Sequence, residues 1–217
     1  MAKLKSTLPN MFLSLTLICI ITSGLLAATY KYTSGPIAET EALALKKAVQ
    51  EVSPEFDNDP IKDSFKVETP DGYELLIYPA VKDGQNVGAA VESSTKHGFN
   101  GLIRLIVGFD AEGKIRNYSI LQHSETPGLG AKMGQWFKTD KNKQSIIGRS
   151  LANGNLSVSK DGGDVDAITA STITSRAFLE AINRAYNAYA GIDASTGATP
   201  QKDKEESSEQ PENKSKD

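Results

Sequence analysis

An uninterrupted apolar segment near the N-terminus constrains this chain more than any other feature. Residues 11–28 read MFLSLTLICIITSGLLAA, and no charged residue occurs between Lys5 and Lys31. About 20 predominantly apolar residues span the hydrocarbon core of a bilayer as a helix. We therefore predict a transmembrane helix over residues 11–30, with Tyr30 at the membrane interface.

The charges beside this segment predict its orientation. Lys3 and Lys5 precede it, and positive charge favours the cytoplasmic side. Residues 1–10 are therefore expected in the cytoplasm and the rest of the chain outside. A cleaved secretory signal is the alternative, although its apolar core usually spans only about 7–15 residues. Both interpretations export the remainder of the chain.

Composition narrows the possible functions. A chain of 217 residues is long enough for one folded domain with tails. The formal net charge is −3 and no basic stripe runs along the sequence, so nucleic-acid binding has no support. Cys19 is the single cysteine, which excludes an intrachain disulfide and a cysteine-based metal site. With only two histidines, His97 and His123, no metal site is expected.

Residues 31–70 are predicted to form an amphipathic helix, over 36–52, and a polar connector. After residue 70 the apolar pattern changes to the period of strands. The predicted strands, with antiparallel pairing wherever the turns between them are short, are Tyr73–Tyr78, Asn86–Ser93, Leu102–Phe109 and Lys114–Gln122.

The second half of the chain predicts more helix. A short helix is expected at Ala131–Phe137, a strand at Leu156–Val158, and a final amphipathic helix over 174–190 that Gly191 ends. The predicted class is α+β, in which a mixed, largely antiparallel sheet packs with helices over residues 71–192. Residues 193–217 are expected to be a disordered charged tail, because beyond Thr199 no aliphatic or aromatic residue occurs.

Residues 166–175 read DAITASTITS and place several hydroxyl groups where the last helix is expected to begin. A helix start offers unpaired backbone N–H groups and the positive end of the helix dipole, so it suits a phosphate. The segment resembles the flavin-attachment motif Asp-x-x-Ser/Thr-Gly-Ala-Thr-x-Thr of the bacterial FMN-binding domain family. It departs from that motif at the Gly-Ala pair, which here is Ala170-Ser171.

The resemblance implies an FMN phosphate esterified to Thr172. A hydroxyl-rich helix cap without further chemistry is the alternative. The other motif residues that the resemblance places around the cofactor are Asp166, Ser171, Ile173, Thr174 and Ser175, with Asp166 able to orient Thr172.

Residues 125–130 read ETPGLG and match a second segment of the same family, which lines the flavin pocket there. Glycines let backbone approach a flat ring, a proline stiffens the turn, and a leucine can cover an aromatic face. An ordinary Pro-Gly turn is the alternative for this loop taken alone. The expected pocket residues are Glu125, Thr126, Pro127, Gly128, Leu129 and Gly130.

A competing attachment position occurs at Thr199. The letters Thr196-Gly-Ala-Thr199 reproduce the family motif better than the upstream segment does. Pro200 and the charged tail follow, however, so no helix is available there to receive a phosphate. We therefore favour Thr172.

Three other groups have two interpretations each. His123 either lies near the flavin edge or is an ordinary surface residue, which we favour. Trp136 and Phe137 either stack on the flavin or belong to the core, which we also favour. Asp161 and Asp164 are interpreted as a solvated acidic loop and not as a calcium site.

The membrane anchor and the chain length are most similar to the G subunits of Rnf-type ion-translocating electron transport complexes. That resemblance implies an electron-transfer protein in the bacterial inner membrane, with its FMN domain on the external side, in a complex that couples ferredoxin and NAD chemistry to ion transport. It implies a further flavin subunit, iron–sulfur subunits, membrane lipid and a flavin transferase as partners, and no catalytic side chain. The alternatives are the C subunit of the sodium-translocating NADH:quinone oxidoreductase, a stand-alone flavin shuttle, or a membrane-anchored assembly module without flavin.

Overall fold

The computed structural model describes residues 7–152 and 154–195, so the first lysines and the predicted tail beyond Ser195, with Thr199, lie outside the described residues. The described chain divides into two compact units between Lys47 and Ala48. The elements are α1 (Leu8–Val52), β1 (Phe65–Glu68), β2 (Glu74–Lys82), β3 (Gln85–Gly98), β4 (Gly101–Asp110), β5 (Ile115–His123), α2 (Met133–Trp136) and α3 (Thr172–Ser195). Two single 3-10 turns occur at Gly130–Lys132 and Ser159–Asp161.

Helix α1 joins the two helices that the sequence predicts separately. Its 45 residues correspond to about 68 Å, more than twice the hydrocarbon thickness of a bilayer of about 30 Å. Pro36 lies inside it, so the predicted start at this proline is wrong. The helix is long and apolar enough to cross a membrane by length and composition, and its apolar window is not buried. Hydroxyl groups in this helix donate hydrogen bonds to its own backbone, as the Thr22 hydroxyl does to the Ile18 carbonyl.

The five strands form an antiparallel meander in the order β1-β2-β3-β4-β5. The predicted mixed sheet is therefore antiparallel throughout among the described strands. Leu156–Val158, predicted as a strand, contributes only one isolated parallel bridge, between Val158 and Val165. Conversely, β1 lies in the segment predicted as a connector, because its four residues are too few to show a period.

One face of the sheet packs against α2 and α3. Phe137 and Phe178 are fully buried and stack with ring centroids 4.5 Å apart, and Tyr118 meets Phe178 edge-on at 4.9 Å. The Tyr118 hydroxyl donates to the Met133 carbonyl at 2.6 Å, which ties α2 to the sheet. Each buried aromatic side chain contributes about 2–3 kcal/mol of hydrophobic stabilisation. Phe137 therefore belongs to the core, as expected.

The last turn of α1 belongs to the second unit and covers the other face of the sheet. Ala48, Val49 and Val52 are buried. A Cβ atom placed on Gly108 of β4 would collide with the Val52 carbonyl oxygen, so the helix end and the strand are in direct contact there.

Helix α3 begins two residues earlier than predicted and continues through Gly191, which was predicted to end it. The buried Arg184 side chain fixes this helix on the sheet. Its guanidinium donates to Asp71 and to the Ser94 carbonyl, and it pairs with Glu180, each at 2.7 Å. These contacts hold the middle of α3 against β3.

Candidate functional site

The two segments singled out in the sequence meet at one cavity of about 340 Å³, large enough for a small ligand. It lies between the β3–β4 turn, the 125–130 loop and the first turn of α3. Its walls are formed by Phe99, Glu125, Thr126, Leu129, Gly130, Ala170, Ser171, Thr172, Ile173 and Thr174. Eight of these ten are among the predicted site residues; Phe99 and Ala170 are not.

A buried carboxylate ties these walls together. Glu125 is 4% exposed, and its two oxygens accept hydrogen bonds from the Thr174 hydroxyl at 2.5 Å and the Asn100 backbone N–H at 3.0 Å. The Ser171 hydroxyl donates in turn to the Thr174 oxygen at 2.9 Å. Such a connected network rigidifies the groups that it joins. Glu125 thereby fixes the β3–β4 turn to the start of α3.

Gly130 leaves the space that this carboxylate occupies. A Cβ atom at Gly130 would lie 2.5 Å from the nearer Glu125 oxygen and 2.7 Å from the Thr174 hydroxyl. Gly128 has a φ of +78° and open space around it. The two glycines of the loop thus have different roles. Gly128 adopts the positive φ of the turn, and Gly130 leaves room for the hydrogen bond between Glu125 and Thr174.

Thr172 is the first residue of α3, is half-buried and lines the cavity. The Lys160 ammonium donates to its hydroxyl oxygen at 3.1 Å. No sequence pattern predicted Lys160, because only the 3-10 turn at Ser159–Asp161 brings it to Thr172. Thr172 therefore lines the cavity, and its hydroxyl lies beside a positive charge.

Four predicted binding residues lie outside the cavity walls. Pro127 and Gly128 are exposed at the loop surface. Ser175 is buried; its hydroxyl donates to the Ser171 carbonyl at 3.0 Å and accepts from the Ile168 N–H at 2.9 Å. It therefore fastens the turn before α3.

Asp166 is the fourth of these residues. Its carboxylate accepts from the Ser159 hydroxyl at 2.8 Å and the Lys143 N–H at 3.2 Å, and these two donors hold its pKa below the ordinary value. We predicted that Asp166 would orient Thr172, but the hydrogen bond to the Thr172 hydroxyl comes from Lys160. Asp166 instead joins the 159–161 turn to the segment that leads into α3.

The remaining candidates have structural contacts. His123 is exposed, and its Nδ1 accepts the backbone N–H of Glu125 at 3.1 Å, which orders the start of the loop. Trp136 donates from its indole nitrogen to the Asp166 carbonyl at 2.8 Å. Asp161 and Asp164 pair with Arg176 and Arg149.

Ala170 adopts a left-handed conformation, with a φ of +60°, just before α3. This conformation costs a residue with a Cβ atom roughly 1–2 kcal/mol, and glycine avoids the cost. Glycine is also the residue of the family motif at this position. The sequence departs from the motif where the backbone most favours the family's residue.

We expect Ala170→Gly to stabilise the protein by about 0.5–1 kcal/mol, because relief of the left-handed strain exceeds the extra chain entropy of glycine. Urea unfolding of the detergent-solubilised chain measures this change. Ala167→Gly is the matched control, since Ala167 has no positive φ and should lose stability. Equal destabilisation by both changes would contradict the strain at Ala170.

A larger cavity of about 1150 Å³ lies between β1 and α3. Its walls include Phe65, Leu156 and Arg184, and they contain neither the 125–130 loop nor Thr172. Size alone would favour this cavity, but the smaller one is lined by Thr172, whose hydroxyl Lys160 contacts, and by the buried Glu125. We therefore place the functional site at the smaller cavity.

Comparison with known proteins identifies the family of the chain. The FMN-binding domain family matches residues 98–187, which include every wall of the smaller cavity. The G subunit of the ion-translocating oxidoreductase complex of Aliivibrio fischeri is 33% identical over 189 residues, covering 83% of this chain and 89% of that protein. The G subunits from Stutzerimonas stutzeri and Escherichia coli are each 34% identical, covering 80% of this chain and 77% and 86% of their own lengths. The chain therefore belongs to the G-subunit family of ion-translocating oxidoreductase complexes.

Proposed function

We propose that this protein is an electron-transfer subunit of a membrane-bound, ion-translocating oxidoreductase complex, and that it carries FMN esterified to Thr172. The observation that carries the proposal is that Thr172 and the 125–130 loop line the same cavity. FMN supplies one- and two-electron chemistry when bound, while the protein sets its position and surroundings.

Apolar side chains around the cavity fit the flat ring of a flavin. Phe99, Leu129 and Ile173 are 65%, 41% and 51% exposed. Outside α1, the described large hydrophobic residues that are exposed number five, and three of them line this cavity. A ring placed among them would remove this apolar surface from water, which is favourable by about 25 cal/mol per Å².

The start of α3 fits the phosphate. The first N–H groups of a helix lack intrahelical acceptors and attract an anion. The Ser171 hydroxyl, at the usual capping position, donates to the Thr174 side chain. The first N–H groups of α3 would then bind the phosphate on the Thr172 oxygen.

A covalent bond between FMN and Thr172 suits the location that we propose for this domain. The apolar part of α1 would span the bacterial inner membrane, with the FMN domain on the external side, away from the cytoplasmic pool of flavin. A covalent bond removes any dependence on free FMN. The bound FMN would exchange electrons with the flavin and iron–sulfur subunits of the complex.

The full chain, produced with and without a flavin transferase, tests this function. We expect the transferase to add the mass of one FMN phosphoester and a visible flavin spectrum that survives denaturation. A colourless protein of unchanged mass, produced alongside a transferase that modifies a known substrate, would instead support a flavin-free assembly module. Co-purification with sodium-translocating quinone reductase subunits would assign the protein to that complex.

A further inference from the structure

The Lys160 ammonium contacts the oxygen that would carry the FMN phosphorus, at 3.1 Å from the Thr172 hydroxyl. We propose that Lys160 is a positioning residue that pairs with the phosphate while the ester forms and afterwards holds the finished phosphodiester. This inference rests on the proposed attachment at Thr172. It adds a requirement for a positive charge that the attachment motif itself does not contain.

The backbone around Lys160 is fixed on both sides. Before it, the Ser159 hydroxyl donates to Asp166 at 2.8 Å. After it, Asp161 binds the Arg176 guanidinium through two hydrogen bonds of 2.7 and 2.6 Å. Arg176 lies one turn beyond Thr172 on α3, so this pair clamps the 159–161 turn to the helix. The position of the lysine is therefore set by the fold, although its side chain is exposed.

The carboxylates that flank this lysine are engaged with other donors. Arg176 is the main cause that lowers the pKa of Asp161, to which the charge of Lys160 also contributes, and the Ser159 hydroxyl is the main cause that lowers the pKa of Asp166. Among the described residues, the hydrogen bond of Lys160 goes to Thr172, a neutral hydroxyl. An ammonium has three donors, so two remain for the oxygens of a phosphate.

The chemistry of attachment places a negative charge beside this lysine. The Thr172 hydroxyl loses its proton, a bond forms between its oxygen and phosphorus, and the bond from phosphorus to the leaving group breaks. With flavin adenine dinucleotide as the activated donor, the leaving group is AMP. The resulting phosphodiester carries one negative charge, shared by the two unesterified oxygens of the phosphorus. That phosphorus is bonded to the threonine oxygen, so these oxygens are within reach of the flexible lysine side chain.

Three variants of the full chain separate charge from side-chain bulk. Lys160→Gln removes the charge, Lys160→Arg keeps it, and Lys114→Gln removes a lysine elsewhere. Lys114 is a suitable control because its neighbour Gly113 lies beside Tyr186, about four turns along α3 from Thr172. Each variant is incubated with flavin transferase and flavin adenine dinucleotide, attachment is followed by intact mass, and the product by phosphorus NMR.

We expect Lys160→Gln to slow attachment by about fivefold, as the loss of one partly exposed ion pair predicts. Lys160→Arg and Lys114→Gln should react at close to the wild-type rate. The phosphorus signal of loaded Lys160→Gln should differ from that of the wild type. Raising the salt from about 0.05 M to about 1 M should move the wild-type signal toward that of the variant, because salt screens exposed charge pairs.

The outcomes are distinguishable. If the wild type gains flavin at Thr172 and Lys160→Gln matches it in rate and in phosphorus signal, the role of Lys160 is overturned while the proposed function stands. If Lys160→Arg is as slow as Lys160→Gln, charge is not the requirement, and the proposal also fails. Failure of the wild type itself to gain flavin would overturn both. A Lys160→Gln chain that remains unmodified while Lys160→Arg is modified would support the proposal.

Discussion

The Gly130→Ala variant is expected to lose about 3 kcal/mol of unfolding free energy. The added methyl would lie 2.5 Å from the Glu125 carboxylate and 2.7 Å from the Thr174 hydroxyl. Both partners are buried, so they cannot turn toward water. Overpacking of this kind costs about 1–3 kcal/mol, and a broken hydrogen bond to a buried charged group costs about 1.5–3 kcal/mol. Urea unfolding of the detergent-solubilised chain measures the loss.

Gly134→Ala is the matched control for this prediction. Gly134 lies in α2, and the nearest atom to an added methyl would be Ile120 Cγ1 at 4.0 Å. Because alanine is a better helix former than glycine, the unfolding free energy of Gly134→Ala should stay the same or rise by up to about 1 kcal/mol. Equal stability of the two variants would show that Glu125 does not fill the space beside Gly130.

Replacement of Thr172 is expected to have the largest effect on function. Thr172→Ala removes the oxygen that would carry the phosphorus, so attachment of FMN should fall to zero. Thr172→Ser keeps a hydroxyl at the first position of α3 and should still be modified. Intact mass after incubation with transferase and flavin adenine dinucleotide measures both.

The stability of Thr172→Ala is the control, because it shows whether the loss of FMN attachment comes from unfolding. Thr172 is half-buried, and its hydroxyl contacts only the exposed Lys160 among the described residues, so the free energy of urea unfolding should change by less than about 1 kcal/mol. Attachment to a Thr172→Ala chain would exclude Thr172 as the attachment residue. Loss of attachment in both Thr172 variants, with stability retained, would count against attachment through a hydroxyl at this position.

Regular apolar patterns made the central sheet predictable. The predicted strands Leu102–Phe109 and Lys114–Gln122 differ from β4 and β5 by one residue at each end. Short or exposed elements were not predictable in the same way. β1 has four residues and little burial, and the covered end of α1 depends on contact with Gly108, which local sequence does not encode.

Proline and glycine misled the prediction of the helix ends. Pro36 removes one backbone donor, and the helix is long enough to continue past that loss. Gly191 lowers helix propensity by about 1 kcal/mol, and α3 nevertheless continues to Ser195. The propensity of a single residue is therefore a weak guide to where a helix ends.

The site was predictable where its chemistry is local. The attachment segment and the 125–130 loop each carry a motif, and the fold brings them to one cavity. Lys160 was missed because a 3-10 turn delivers its side chain from a segment without a motif, and Phe99 was not predicted as a site residue. The roles of Glu125 and Gly130 in holding the walls together depend on distances that only the fold supplies.

Peptide mapping of the loaded wild-type chain tests the central claim most directly. Trypsin releases Thr172 in the peptide of residues 161–176 and Thr199 in the peptide of residues 185–202, so the two positions are read separately. We predict that the mass of FMN is found on the first peptide and that fragmentation places it on Thr172. Finding the flavin on the second peptide, or on another hydroxyl of the first, would contradict this account.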